Sequence, residues 1–378
     1  MKKFWSDNPG FANDALLTCV TLAGLAALVW AAPSLGASPQ GRFPATLIGL
    51  MRSRIVTYNP GVNGYYEQLL NGDNALAPMN DKTFHILAGL VHDRLYERNF
   101  RVYRFRPNLR NFVDRSQPQG LTTNSFGLLG PECTLAPPAN VRRIALFGDS
   151  MTQGWGTDQR LSWSRVLENR VNSGTNSKQR FEFLNFAVTG YELTQTFDTA
   201  LQDAPRFHPD VYLLALTELA VGPTWDEHLV WVVQWGIDPK YDFIRDAFRK
   251  SGVSSTDEPL VILGKLAPYR RTILQNMLAE MKSQAARKNV PLVVALVPSL
   301  EDGRMSENRM DEVPGMLAAL QIPMVDLRDT FDRFLDKDSL RINLFDVHPN
   351  ARGHQMIADN LYTKIRNRPD VWADLAGD

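Results

Sequence analysis

The stretch RIALFGDSMTQGWG, residues 143–156, sets an apolar run against a Gly-Asp-Ser and a glycine-bearing turn. Ser150 at that junction has two readings. As a nucleophile for acyl transfer, its hydroxyl requires a base within hydrogen-bond reach and donors aimed at the developing oxyanion. At a strand-to-helix turn its own backbone N–H is one such donor. As a helix cap, it needs nothing more, because Asp and Ser are both preferred there. The base should be a histidine held by an acid. His85 and His92 lie in a region of mixed pattern, His208 precedes Pro209 in a loop, and His228 falls in a long insertion. None of these has a motif around it, so each reads as a surface or core residue. In NLFDVHPNARGHQMIADNL, residues 343–361, Asp346 and His348 flank a single residue on a loop leading into the C-terminal helix. A carboxylate so close to an imidazole can fix its tautomer and stabilise the imidazolium. The other reading of Asp346 is an N-cap or Asx-turn. His354, at the start of the helix, reads as structural.

The elements that must position these residues follow from hydrophobic patterning. From about residue 143, RIALF (143–147), FEFLNF (181–186), VYLLAL (211–216), PLVVALV (291–297) and IPMVDL (322–327) are short continuous apolar runs. Such runs suit strands buried on both faces of a parallel sheet. Between them lie helical patterns: Ile273, Met277, Met281 and Ala285 form one stripe, and Ile357, Leu361 and Ile365 another. The alternation predicts a three-layer α/β/α sandwich with about five parallel strands. Ligands of such sheets bind beyond the carboxyl ends of the strands, where the Gly-Asp-Ser falls.

Two segments break the alternation. Residues 41–138 are rich in aromatics and prolines and read as an accessory region packed on the main domain, with NSFGLLGPE (124–132) as its closing turn. Residues 222–270 separate two strands by far more than a usual connection and read as an insertion near the active edge. Its Trp225, Trp231 and Trp235 either form a stacking floor for sugar rings or, the favoured reading, pack the insertion onto the sheet.

The N-terminus differs from the rest. Residues 15–32, ALLTCVTLAGLAALVWAA, carry no charge and approach the length a spanning helix needs. An uncleaved anchor is favoured over a cleaved signal peptide, because AAPSLGASPQG offers no clean cleavage site. The expected division is therefore an anchor or signal segment over 1–40, the accessory region over 41–138 and the main domain over 139–378. The flanking charges give only a weak orientation bias, favouring a main domain outside the cytoplasm. Lys+Arg and Asp+Glu both number 41, and there is no basic stripe, which argues against a nucleic-acid partner. Two cysteines, Cys19 and Cys133, cannot build a disulfide framework or a metal site, and Asp346 and His348 have no further ligands clustered near them. No metal or cofactor is expected.

FGDSMTQGWG, LNFAVTGYELTQ and DVHPNARGHQMIA together resemble blocks one, two and five of the SGNH hydrolase (GDSL-like lipase/acylhydrolase) superfamily, over roughly residues 124–366. The shorter spacing of the last block is similar to membrane-anchored bacterial members. The resemblance implies a flavodoxin-like fold, Ser150 as nucleophile, His348 as base and Asp346 as its orienter. It also implies that Gly190, in VTGY, adds its N–H to that of Ser150 in an oxyanion hole. The chain departs from the family at the third block, where Gly-x-Asn-Asp is usual and the Asn donates to the oxyanion. Here Thr217 and Glu218 stand in that place. Losing one donor costs about a hundredfold in rate. Asp149, Glu218 and Trp225 are the remaining candidates for substrate contact. The implied activity is hydrolysis of acylated, carbohydrate-type esters outside the cytoplasm, or transfer of the acyl group to a sugar. The alternative is an impaired domain that binds or scaffolds polysaccharide.

Overall fold

The computed structural model describes residues 93–376, apart from 115–116, 174–178, 222–225, 299, 301–308 and 344–345. The apolar run at 15–32 and Trp225 therefore lie outside the described residues. Among the described residues no helix is long and apolar enough to cross a membrane.

The main sheet consists of β1 (Val141–Phe147), β2 (Arg180–Asn185), β3 (Val211–Leu216), β4 (Leu292–Leu296) and β5 (Met324–Asp326), all parallel. Their spatial order is β2-β1-β3-β4-β5, the flavodoxin-like order in which the chain reverses direction across the sheet beside β1. In the central strands successive residues alternate between two buried faces. Ile144, Leu146, Leu213, Val293 and Ala295 face one layer, while Ala145, Phe147, Leu214, Val294 and Leu296 face the other. A strand buried on both sides must be apolar throughout, which is why these runs show no polar alternation.

The helices complete the layers. On the first face, α2 (Trp163–Ser173) and α10 (Ala351–Arg366) pack through Trp163, Leu167, Ile357 and Leu361, all nearly inaccessible. On the second, α3 (Leu193–Gln202) and α8 (Arg270–Arg287) pack through Phe197, Ile273, Met277 and Met281. Truncating one of these leucines to alanine costs about 2–5 kcal/mol. Two further short helices bear on the site: α1 (Ser150–Gln153) after β1, and α4 (Glu218–Val221) after β3.

The insertion expected over 222–270 is helical where described. Its α5 (Glu227–Gln234), α6 (Asp242–Ser251) and α7 (Pro259–Leu266) add Leu229, Ile244 and Ile262 to the second core. Trp235 is buried and Trp231 half-buried against a cluster that includes Tyr103, Leu121 and Tyr191, so these two indoles pack rather than form an open floor. The segment before β1 forms two short antiparallel pairs, Arg94–Tyr96 with Tyr103–Phe105 and Phe112–Asp114 with Gln117–Leu121. The turn at 124–132 is built by Asn124. Its Oδ1 accepts from the N–H groups of Phe126 and Leu128 at 2.9 and 3.0 Å. Leu129 N then donates to Asn185 O at 3.3 Å, beside the edge strand β2.

Candidate active site

Ser150 is the first residue of α1, directly beyond the carboxyl end of β1. The chain turns there at Gly148. A Cβ at that position would lie 2.7 Å from Thr152 Cβ, closer than real atoms approach, so glycine lets α1 fold back onto the strand end. The two readings of the Gly-Asp-Ser separate by residue. Asp149 is the cap, its Oδ1 accepting from Met151 N at 2.9 Å, which frees Ser150 from that role. Asp149 is not placed to meet a substrate: its carboxylate is 2% exposed and its other oxygen accepts from the Thr217 hydroxyl at 2.5 Å. Burial pushes this carboxyl up, against the Thr217 and Met151 donors that pull it down.

Asp346 and His348 belong to a short strand, β7 (Asp346–Pro349), paired antiparallel with β6 (Arg341–Asn343), rather than to the expected loop. The strand explains the one-residue gap. Residues i and i+2 of a strand share a face, so the carboxylate and the imidazole stand side by side. His348 Nδ1 lies 2.6 Å from Asp346 Oδ1, and His348 Nε2 lies 2.7 Å from Ser150 Oγ. A carboxylate beside Nδ1 places the proton on that nitrogen, leaving Nε2 as the acceptor for the serine proton. Asp346 Oδ1 also accepts from His348 N at 2.9 Å, so the Asx-turn reading of Asp346 holds as well. The cap of α10 is Asn350, which receives Arg352 N and Gly353 N. All three side chains are nearly inaccessible: Ser150 0%, His348 4% and Asp346 8% exposed. The Trp155 ring leans over the imidazole, with centroids 4.9 Å apart.

Gly190 lies in the turn after β2 with φ +83°, a conformation that glycine adopts without strain. Among the described residues no acceptor is taken by the N–H of Ser150 or of Gly190. Two side-chain amides that no sequence motif marks tie this turn to α1. Gln153 receives the Thr189 N–H at 2.7 Å. Asn185 donates to Thr152 O at 3.0 Å and accepts from Ala187 N at 2.9 Å. At the third block, the Thr217 hydroxyl donates to Asp149 and accepts from Ala220 N at 3.1 Å, so its one proton is committed away from an oxyanion. Glu218 is half-buried in the first turn of α4. A cleft of about 510 Å³ opens beside α1 at Gln153, lined by polar residues such as Arg110, Gln159, Arg165 and Asn185 together with the apolar surface of Leu129 and Pro131.

The remaining described histidines stay outside the site. His354 and His228 are fully buried, and burial pushes both down to about 3. Nδ1 of His354 accepts from Trp163 N at 3.3 Å, and Nδ1 of His228 pairs with the Thr194 hydroxyl at 2.8 Å. Among the described residues no group of three or more His, Cys, Asp or Glu could hold a metal ion.

The model of the GDSL-like Lipase/Acylhydrolase family matches residues 146–356. No curated protein matches the chain. Solved structures are similar to part of it at low identity. TesA is 13% identical, over 60% of this chain and 99% of its own, with a TM-score of 0.40. A lipase/acylhydrolase from Enterococcus faecalis is 14% identical over 60% and 96%, with a TM-score of 0.39. The acetyl xylan esterase AlAXEase is 14% identical over 58% and 98%, with a TM-score of 0.38.

Proposed function

The chain belongs to the GDSL-like lipase/acylhydrolase family, and on that premise we propose that it is a serine-dependent carboxylic ester hydrolase acting through an acyl-enzyme on Ser150. The observation that carries this reading is the continuous chain of hydrogen bonds from Ser150 Oγ to His348 Nε2 and from His348 Nδ1 to Asp346.

The reaction follows from that proton arrangement. Ser150 Oγ attacks the ester carbonyl as its proton passes to His348 Nε2. The carbonyl oxygen becomes an oxyanion received by the N–H groups of Ser150 and Gly190. Asp346 stabilises the imidazolium without taking its proton. Collapse breaks the bond to the alcohol oxygen, which takes the proton from His348. A water then gives its proton to His348 and attacks the acyl carbon, releasing the acid and Ser150. A sugar hydroxyl in place of that water gives the O-acyltransferase variant of the same chemistry.

An acylated saccharide is the substrate class we favour, because the amide and guanidinium side chains in the cleft beside α1 suit hydroxyl-rich ligands; that cleft reaches α1 at Gln153 and is not lined by Ser150 or His348. The uncharged run at 15–32 supports a single membrane anchor, with the main domain outside the cytoplasm. Ser150→Ala should abolish both p-nitrophenyl acetate turnover and fluorophosphonate labelling. Retained turnover would remove Ser150 from the mechanism. The commitment of the Thr217 hydroxyl to Asp149 favours a second reading, a catalytically impaired domain that binds or scaffolds polysaccharide. Under that reading the wild type takes no fluorophosphonate, and saccharide binding is the same in Ser150→Ala.

A further inference from the structure

The two N–H groups assigned above to the oxyanion come from different connections, and one buried side chain spans them. Gln153 is on α1 with Ser150 and is 3% exposed. Its Oε1 receives the Thr189 N–H at 2.7 Å and also the Thr189 hydroxyl. A backbone N–H can only donate, so the atom facing it is the amide oxygen, and the orientation of the carboxamide is fixed. The Gly190 N–H belongs to the peptide unit that leaves Thr189. Thr189 is fully buried; among the described residues its hydroxyl bonds Gln153 alone, while its carbonyl accepts from the Tyr103 hydroxyl at the longer distance of 3.4 Å. On the other side of the same loop, Asn185 bonds both α1 and Ala187.

We propose that Gln153 is a positioning residue: by holding Thr189 it sets the separation and direction of the Ser150 and Gly190 N–H groups, so that both address one oxygen. This rests on the reading of Ser150 as nucleophile. The geometry matters because a donor array displaced by about 1 Å can lose a hundredfold in rate.

Gln153→Met keeps the length of the side chain and removes the strong acceptor. Its kcat should fall about tenfold to a hundredfold with KM within about threefold, the pattern of an interaction used in the transition state. Fluorophosphonate labelling, whose adduct occupies the same two donors, should slow in proportion. Thr189→Val, which removes one of the two bonds, should give a smaller loss of the same kind, and the double variant should be no worse than Gln153→Met alone. Folded Gln153→Met with wild-type kcat, or a loss confined to KM, overturns the proposal. Should Gln153→Met not fold, folded Thr189→Val with unchanged kcat overturns it. Ser150→Ala keeps the two readings apart: if it is inactive while Gln153→Met is unimpaired, only the positioning role falls.

Discussion

Asp346 uses one oxygen for two purposes, since Oδ1 takes both the backbone N–H and the ring N–H of His348. Replacing it by Asn offers an amide that can either accept or donate at the imidazole, so the tautomer is no longer fixed. Asp346→Asn should lower kcat by about a thousandfold to ten-thousandfold. Urea unfolding should show the fold intact, and a variant within tenfold of wild type would remove Asp346 from the proton chain. At this scale the sequence reveals Ser150, Asp346 and His348, because their types and local spacing are themselves the signal. Gln153 and Asn185 give no such signal, and Thr217 gives only its place at the third block. Each acquires its meaning from a partner 36, 33 or 68 positions away, and only the fold brings those partners together.

At the scale of elements, the site depends on how tightly α1 folds back on β1. Gly148→Ala would drive a Cβ into Thr152, whose side chain is buried. The substitution should cost about 1–3 kcal/mol, as overpacking does, and should displace Ser150 from His348. Both effects are measurable, as a lowered urea midpoint and as a loss of fluorophosphonate labelling in the folded protein. Labelling at the wild-type rate would show that α1 tolerates the shift. The five sheet strands are legible because burial on both faces forces continuous apolar runs; VYLLAL coincides with β3. The strand carrying Asp346 and His348 is not legible. It is a four-residue piece with a proline, and its pairing with Arg341–Asn343 is set across an irregular register rather than by any apolar pattern.

For the whole molecule, the buried histidines bear on acid stability. His228 and His354 are held neutral, each pushed down to about 3 by burial. The unfolded chain takes up protons near pH 6.5 that the folded one refuses, so their contribution is complete above that pH. It declines toward pH 3, by up to about 1.4 kcal/mol per pH unit for each. Glu168, raised to about 7 by burial, acts in the opposite sense: its contribution is present at low pH and is lost as pH rises toward 7. Comparison with His228→Gln isolates one term. The stability gap between wild type and variant should change by about 2 kcal/mol between pH 7 and pH 5, with the wild type losing ground. A gap independent of pH would mean that His228 titrates normally in the folded state. The sandwich itself follows from the sequence, whereas the role of the residues before β1 does not, because mixed aromatic and proline patterning carries no period. Their consequence lies in the contact of Leu129 with Asn185. A bare edge strand is a template for pairing with other molecules, and this contact blocks one end of β2. A fragment begun at residue 139, at the apparent start of the α/β unit, would retain every residue of the proton chain yet expose that end. Its first difficulty would be self-association during expression rather than lost chemistry.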